Sequence, residues 1–569
     1  MSCLHASRWL HGLIIVMSAA AVALPGLGST SLWDIDEGLN AEAAREMLES
    51  GDWVVPYFNF KPRTAKPPLL YWLQAMAYRA FGVNEFAARL PSALAMMVAA
   101  LMTYRLGRRM FSPAIGLLAA LILLSTIQTS VLAHAATPDA VLLACFLLTF
   151  NLFWDGYAEG RGRWLWTTGL GCGLAALAKG PIGLLLPVGI VVYFLIAQRQ
   201  LRALCDVRLF GGVLVVILVA GPWYALVGAE THGAFLRAFW QNDNVGRFVN
   251  SMEGHRGPFW YYLATLTVGL TPWSVFLIPT AWDTIRTVSS PQRLDRETAA
   301  VRFLMCWAAV YLAFFSLAQT KLPNYVLPVF PPVAILIARY LVRWQHDKSA
   351  APAWFMPLGL ALLAAIGAGV AIGAAVAGGQ LWPNLIADRT IPGLAAWSAV
   401  GLIPAGGAAL GWLALRRQRR GAAISALGLS AVAFLSVLAA GPVRCVDAQK
   451  APRALVAASG AHQPGTEVRT ASVGYFQPSL VFYCGREVTE LMSVAAAIDF
   501  LNGPLPSFLF CPAELAPALL ERSPGTVAVA RRRDFYKGWD VVVLRNLAPP
   551  PLTRITASAA RPSQASSLP

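Results

Sequence analysis

Residues 33–72, WDIDEGLNAEAAREMLESGDWVVPYFNFKPRTAKPPLLYW, form a polar, acid-bearing stretch in a chain otherwise built of long apolar runs. Asp34, Asp36 and Glu37 fall within four residues, directly after the first apolar run. Capping of the helix that follows explains one acid well and three poorly. A carboxylate at a membrane surface can act as general base on an acceptor hydroxyl, or position an amine or a metal. The spacing predicts a helix over 37–50, with Asp36 at its entry and Gly51 as its stop. Pro67-Pro68 opens a second helix that ends at Gly82, with an apolar face for the interface plane.

Composition sets the environment of this loop. The 569 residues are 57% hydrophobic and 13% charged, against roughly 25% charged in soluble domains. The fold class is therefore a polytopic α-helical membrane protein. Nineteen Trp and fifteen Tyr suit interfacial belts. The net charge of +16 fits membrane topology, with anionic headgroups and phosphates as partners and no nucleic acid. Apolar runs near 9–28, 87–104, 113–133, 139–156, 163–178, 181–197, 209–228, 258–281, 301–318, 325–342, 354–378, 394–415 and 422–442 give about thirteen transmembrane helices. The first is expected to be an uncleaved anchor, with a signal peptide as the alternative.

Alternate connections are basic, among them Arg105/Arg108/Arg109, Arg199/Arg202/Arg208 and Arg416/Arg417/Arg419/Arg420. The positive-inside rule puts that side and the N-terminus in the cytoplasm of a bacterial inner-membrane protein. The opposite, periplasmic face then holds loop 29–85 and the other polar loops. The transmembrane domain is expected over 1–443, and a small periplasmic α/β domain over 444–548. A disordered Pro/Ser/Ala-rich tail is expected over 549–569. In the α/β part, strand-like runs include 480–488. Cys445, Cys484 and Cys511 fall in the C-terminal part, and a disulfide between two of them stands beside free thiols as an equal reading.

The outer loops collect candidate substrate-binding residues. Lys66, Lys179, Arg256 and Lys321 are cations near that face, and Lys179 sits between two apolar helices where its charge needs a purpose or a partner. Cations there clamp phosphate oxygens and stabilise a phosphate leaving group, or else reach out to headgroups. Asp139 opens a helix and either caps it or pairs with a lysine. His255 hydrogen-bonds or ligates a metal, and Tyr325 bonds a phosphate or anchors the interface. P-loop, dinucleotide, zinc-protease and serine-hydrolase motifs are missing.

Asp36-Glu37, the run from Arg45 to Pro56, Lys66-Pro67 with Tyr71-Trp72, Ala178-Lys179-Gly180, His255 to Tyr262 and Lys321 to Pro328 occur in an order that resembles a known family. They are similar to the bacterial lipid-carrier-dependent glycosyltransferases of the integral-membrane GT-C superfamily, which includes the protein O-mannosyltransferases. The branch most alike is the aminoarabinose transferase that modifies lipid A. The resemblance covers about 30–340. It implies an inverting glycosyl transfer from a sugar on undecaprenyl phosphate to a lipid or glycan acceptor. It makes Asp36, with Glu37 beside it, the catalytic carboxylate, and gives the phosphates to Lys66, Lys179, Arg256 and Tyr325. Two positions depart from that branch. Gly38-Leu39-Asn40 stand where it has Arg-Tyr, and Ala65 stands where it has an acid implicated with the His-Arg histidine in a metal site. No metal ligand is assigned, and a divalent cation is the one cofactor left open. Alternatives are a protein O-glycosyltransferase of the same superfamily and a flippase or transporter of lipid-linked sugars. A transporter places ionisable groups at mid-membrane and often shows repeats; here the acids lie in a loop.

Overall fold

The computed structural model describes residues 2–160, 162, 164–250, 254–289, 296–382, 390–462 and 468–546. The expected tail at 549–569 lies outside them. The chain divides into two compact units, Met1–Gln449 and Lys450–Pro569.

The first unit is helical. Helices α1 (Ser2–Ala23), α2 (Asp36–Ser50), α3 (Leu69–Phe81), α4 (Glu85–Met110), α5 (Pro113–Leu124), α6 (Ile127–Ala133), α7 (Asp139–Ala158), α8 (Trp164–Lys179), α9 (Pro181–Ala197) and α10 (Arg208–Glu230) come first. Then come α11 (Ala234–Ala238), a π-helical stretch Phe239–Gly246, α12 (Arg247–Val249), α13 (Tyr261–Gly269), α14 (Leu277–Val288), α15 (Arg296–Leu317), α16 (Phe330–Gln345) and α17 (Phe355–Ala377). Helices Leu402–Arg416 and Arg420–Ala440 follow. Every apolar run marked in the sequence is largely helical. Among the described residues, eight helices are long and apolar enough to cross a membrane, or up to ten if each of two bent pairs is one span.

Local sequence sets the helix starts. Asn84, Ser112 and Thr126 each accept a hydrogen bond from the backbone N–H three residues on, satisfying a free donor of the first turn. The bends satisfy each other. α5 and α6 meet at 66°, and α13 turns by 114° into the segment Trp273–Val288. At these breaks Trp273 Nε1 donates to Ser125 Oγ at 2.9 Å, and Ile127 N donates to the Thr271 carbonyl at 3.1 Å. Irregular backbone at membrane depth is tolerated where protein, not lipid, satisfies it. Close packing uses small residues: a Cβ on Gly169 of α8 would stand 2.4 Å from the Gly212 carbonyl of α10, and one on Gly171 would stand 2.2 Å from Thr149 Oγ1 of α7.

The second unit holds a five-stranded mixed sheet. Its strand order is Val488–Leu491, Arg469–Val473, Ser507–Pro512, Asp540–Asn546, Thr526–Arg533. The first three strands are parallel and the last two antiparallel. The run expected as a strand over 480–488 is instead mostly the helix Pro478–Cys484. Pro478 at its first turn and Gly485 in the left-handed region (φ 63°) bracket it, and these end signals override the β-propensity of Leu-Val-Phe-Tyr. Among the described residues Cys445, Cys484 and Cys511 form no disulfide.

Candidate functional site

The loop of residues 33–72 is fastened before it presents anything. Glu37 is buried, and Arg89 grips it with Nε on Oε1 at 2.9 Å and Nη2 on Oε2 at 2.7 Å. The amides of Trp33 and Ala136 donate to the same carboxylate at 2.7 and 2.6 Å. Burial alone would raise the Glu37 carboxyl, but Arg89 and the two amides together hold it below its ordinary value. Arg89 also donates to the carbonyls of Leu27, Thr30 and Ser31. Asn40 Nδ2 donates to the Ala136 carbonyl at 3.1 Å. Two contacts from α2 thus converge on Ala136, three residues before α7, and set the N-terminus of α2 beside that of α7.

This arrangement separates the two adjacent acids. Successive helical residues point about 100° apart, so Glu37 faces inward while Asp36 is exposed at the start of α2. The Glu37 carboxylate is taken up by Arg89 and two backbone amides. Asp36 lies within electrostatic reach of Lys66, Lys179 and Tyr325.

Lys179, at the end of α8, donates to Asp139 Oδ1 at 2.5 Å. Asn324 Nδ2 donates to Asp139 Oδ2 at 3.0 Å. The Lys179 ammonium also stands 4.7 Å from the centroid of the Tyr325 ring. Of the two roles open to Asp139, pairing with a lysine is the one seen.

Lys66 is half-buried and has no hydrogen bond or ion pair among the described residues. Burial, and then the neighbouring Lys179, push its ammonium down to about 8, with Arg247 acting in the same direction and Asp36 and Asp243 opposing. A partly desolvated lysine held near two further cations is poised for an anion.

Arg247 and Asp243 are functional candidates that the sequence reading missed. They lie on the π-helical stretch and α12, four residues apart, with Arg247 Nε 3.5 Å from Asp243 Oδ1. π-Helical turns recur at functional sites. Backbone bonds from Gln319 N to the Phe248 carbonyl (3.0 Å) and Thr320 N to the Arg247 carbonyl (3.2 Å) hold this segment against residues 318–322. The signal available was a polar Gln-Asn-Asp-Asn run behind Phe239-Trp240, closed by an i, i+4 acid–arginine pair.

Beside these groups is a cavity of about 270 Å³. Leu185, Phe248, Phe314 and Phe315 give it apolar walls, while Asp243, Arg247, Thr320 and Tyr325 supply its polar groups. It joins an apolar slot to a cationic head.

The remaining candidates sit apart or do other work. Lys321 is buried, and its ammonium donates to the carbonyls of Phe315, Ser316 and Ala318 at 3.3, 2.8 and 2.9 Å. It closes the C-terminus of α15, where free carbonyls and the helix dipole favour a cation. His255 and Arg256 are exposed on segment 254–258, which is tied to Lys321 by a bond from Lys321 N to the His255 carbonyl at 3.0 Å. Among the described residues no group of three or more His, Cys, Asp or Glu side chains forms a metal site. With Ala65 at the acid position of the similar branch, these residues do not fit the implied metal.

The described residues form an integral-membrane helical bundle with acids and lysines gathered at one end, and its likeness to a family model and to solved structures gives it the fold of the GT-C glycosyltransferases. A family model described as dolichyl-phosphate-mannose-protein mannosyltransferase matches residues 65–225. The crystal structure of ArnT from Cupriavidus metallidurans bound to undecaprenyl phosphate superimposes with a TM-score of 0.76, covering 96% of this chain and 100% of that one at 24% identity. The undecaprenyl phosphate-α-4-amino-4-deoxy-L-arabinose arabinosyl transferase of Pseudomonas aeruginosa is 31% identical over 424 residues, 69% of this chain and 75% of that protein. The protein of the same name from Edwardsiella ictaluri is 33% identical over 350 residues, 60% of this chain and 61% of its own length, so the match spans about three fifths of that relative. The chain belongs to the family of these undecaprenyl-phosphate aminoarabinose arabinosyl transferases.

Proposed function

We propose that the chain is an inverting glycosyltransferase that moves a sugar from undecaprenyl phosphate to a lipid or glycan acceptor at the periplasmic face of the bacterial inner membrane. The observation that carries this reading is the gathering of Lys66, Lys179 and Asp36 within electrostatic reach of one another, with Arg247 and Tyr325 linking them to the polar end of an apolar cavity. The cavity suits the first isoprene units of the carrier, and the cations and Tyr325 suit its phosphate. The acceptor oxygen attacks the anomeric carbon from the face opposite the phosphate. The anomeric C–O bond breaks, undecaprenyl phosphate leaves with the electron pair, and the acceptor proton passes to Asp36. A carrier phosphate is a good leaving group once neutralised, so alignment and charge supply most of the rate.

In this reading Asp139 orients Lys179, Glu37 sets Asp36, and Lys321 holds segment 254–258. His255 and Arg256 meet the substrates from that exposed segment. Thirteen helices cross the membrane, the N-terminus is cytoplasmic, and the α/β unit is periplasmic, where it contributes to acceptor choice. The relatives' names make 4-amino-4-deoxy-L-arabinose the first sugar to try, and lipid A the first acceptor. The test is a transfer assay in proteoliposomes with that donor and lipid A. Product with the sugar on the acceptor and free undecaprenyl phosphate supports the reading. Donor flipped across the bilayer without transfer moves the protein to the transporters of lipid-linked sugars.

A further inference from the structure

The helices that gather the acids and lysines at one end line a second, open cavity at the other. It has a volume of about 540 Å³ and lies where α7 and α9 end and where α8, α10 and α15 begin. Trp154, Tyr157, Trp164 and Leu195 give it apolar surface, and among the described residues Arg208 and Arg296 are its cations.

The charges are unevenly matched. Asp206 is the acid in the lining, and it stands 3.9 Å from Arg208 Nε with both side chains partly exposed, so the pairing is weak. Among the described residues Arg296 gives one hydrogen bond, 3.3 Å long, to the Arg109 carbonyl, which leaves most of its five donors for another acceptor. The Arg208 guanidinium lies against Gly162, where an added Cβ would stand 1.9 Å from Nη1. Trp154 is 1% exposed and its indole N–H has no acceptor among the described residues. Arg105, Arg108, Arg109, Arg199 and Arg202 crowd the same end of the bundle. Two arginines over aromatic walls suit a phosphodiester that continues into an apolar chain, and basic pockets between membrane helices take such headgroups.

We propose that this cavity binds the headgroup of an anionic phospholipid of the phosphatidylglycerol class, with its phosphodiester between Arg208 and Arg296 and its acyl chains leaving along Trp164 and Leu195. The site needs the chain to span a membrane and is independent of the reaction at the opposite end.

Native mass spectrometry of the purified full chain, titrated with phosphatidylglycerol or phosphatidylcholine, tests it. The wild type is expected to retain at least about fivefold more phosphatidylglycerol than phosphatidylcholine, and the double variant Arg208→Gln/Arg296→Gln is expected to lose that preference. Gly162→Ala displaces only the flexible end of Arg208; it keeps the fold and lowers retention by about twofold or more. Arg416→Gln, outside the cavity, leaves retention unchanged. Equal retention of the two lipids overturns the proposal, as does an unaltered preference in both cavity variants or an equal loss in Arg416→Gln. Inorganic phosphate that displaces phosphatidylglycerol and raises the Tm of the wild type but not of the double variant overturns the lipid assignment in favour of a free-phosphate site.

Discussion

The Glu37 carboxylate lies 2.7 Å from Arg89 Nη2, both side chains are almost wholly buried, and the neighbouring Asp36 is exposed at the same helix start. One residue of the Asp-Glu pair therefore holds the frame while the other faces the site. Glu37→Gln leaves the Arg89 charge buried without its partner. Breaking such a pair typically costs about 3–5 kcal/mol. The variant is expected to lower Tm strongly, while any folded fraction keeps its donor affinity. Thermal melts beside undecaprenyl phosphate binding check this, and an unshifted Tm would remove Glu37 from its framing role.

Lys66 gives a pH signature. Its ordinary value is 10.5, and in the fold it sits at about 8, so its ammonium is lost as pH rises through about 8. Affinity for the donor phosphate is expected to fall between pH 7 and pH 9. Lys66→Arg keeps its charge across that range and is expected to flatten the fall, whatever it does to absolute affinity. A donor KM measured against pH for both proteins decides it. A flat wild-type profile argues against a phosphate contact at Lys66.

Arg247 and Lys321 separate binding from scaffolding. Arg247→Gln removes a cation at the cavity head and is expected to raise donor KM by about tenfold or more, the scale of a lost charge-assisted hydrogen bond of about 1.5–3 kcal/mol. Its Tm stays near that of the wild type. Lys321→Met strips the charged cap from the end of α15 and is expected to lower stability by about 1–2 kcal/mol, with donor KM following the loosened 254–258 segment only modestly. A Lys321→Met protein with normal Tm and much weakened donor binding would reverse the two assignments.

Glu46 in α2 is buried, and burial, followed by the adjacent Glu42, pushes its carboxyl up to about 8. A carboxyl raised in the fold binds its proton more tightly folded than unfolded. Stability is therefore fully present below the ordinary value of 4.5 and declines as pH rises from there towards 8. Glu46→Gln, which keeps the shape and cannot ionise, is expected to remove this part of the decline. Tm measured from pH 5 to pH 9 for both proteins checks it.

The membrane helices were legible because a span must be apolar over its whole length, whatever its neighbours are. The positions of Asp36, Lys66, Asp139, Lys179 and Tyr325 were legible because charge and hydroxyl groups at helix ends stand out against such runs. What Glu37 does was not legible: neighbours on a helix point in different directions, and its partner Arg89 lies 52 residues away. Lys321 and Lys179 look alike in sequence, but one turns back onto the carbonyls of its own helix and the other reaches across to Asp139. Arg247 and Asp243 were missed because they sit on an irregular helix in an exposed loop, where backbone bonds to 319–320 set their place. Segment 478–484 shows that a proline and a glycine at the ends of a short run outweigh its β-branched and aromatic content.

The central claim is that Asp36 takes the acceptor proton while the cations beside it hold the donor. Its most direct measurement pairs two readouts on wild type and Asp36→Asn in proteoliposomes: undecaprenyl phosphate binding, and sugar transfer from undecaprenyl-phosphate aminoarabinose to lipid A. Asp36 is exposed and lies outside the Arg89 frame, so the variant is expected to fold and to bind the carrier as the wild type does. Transfer is expected to fall by about 10²-fold or more, the contribution of a positioned general base. Transfer at the wild-type rate in Asp36→Asn, with binding intact, would contradict the account.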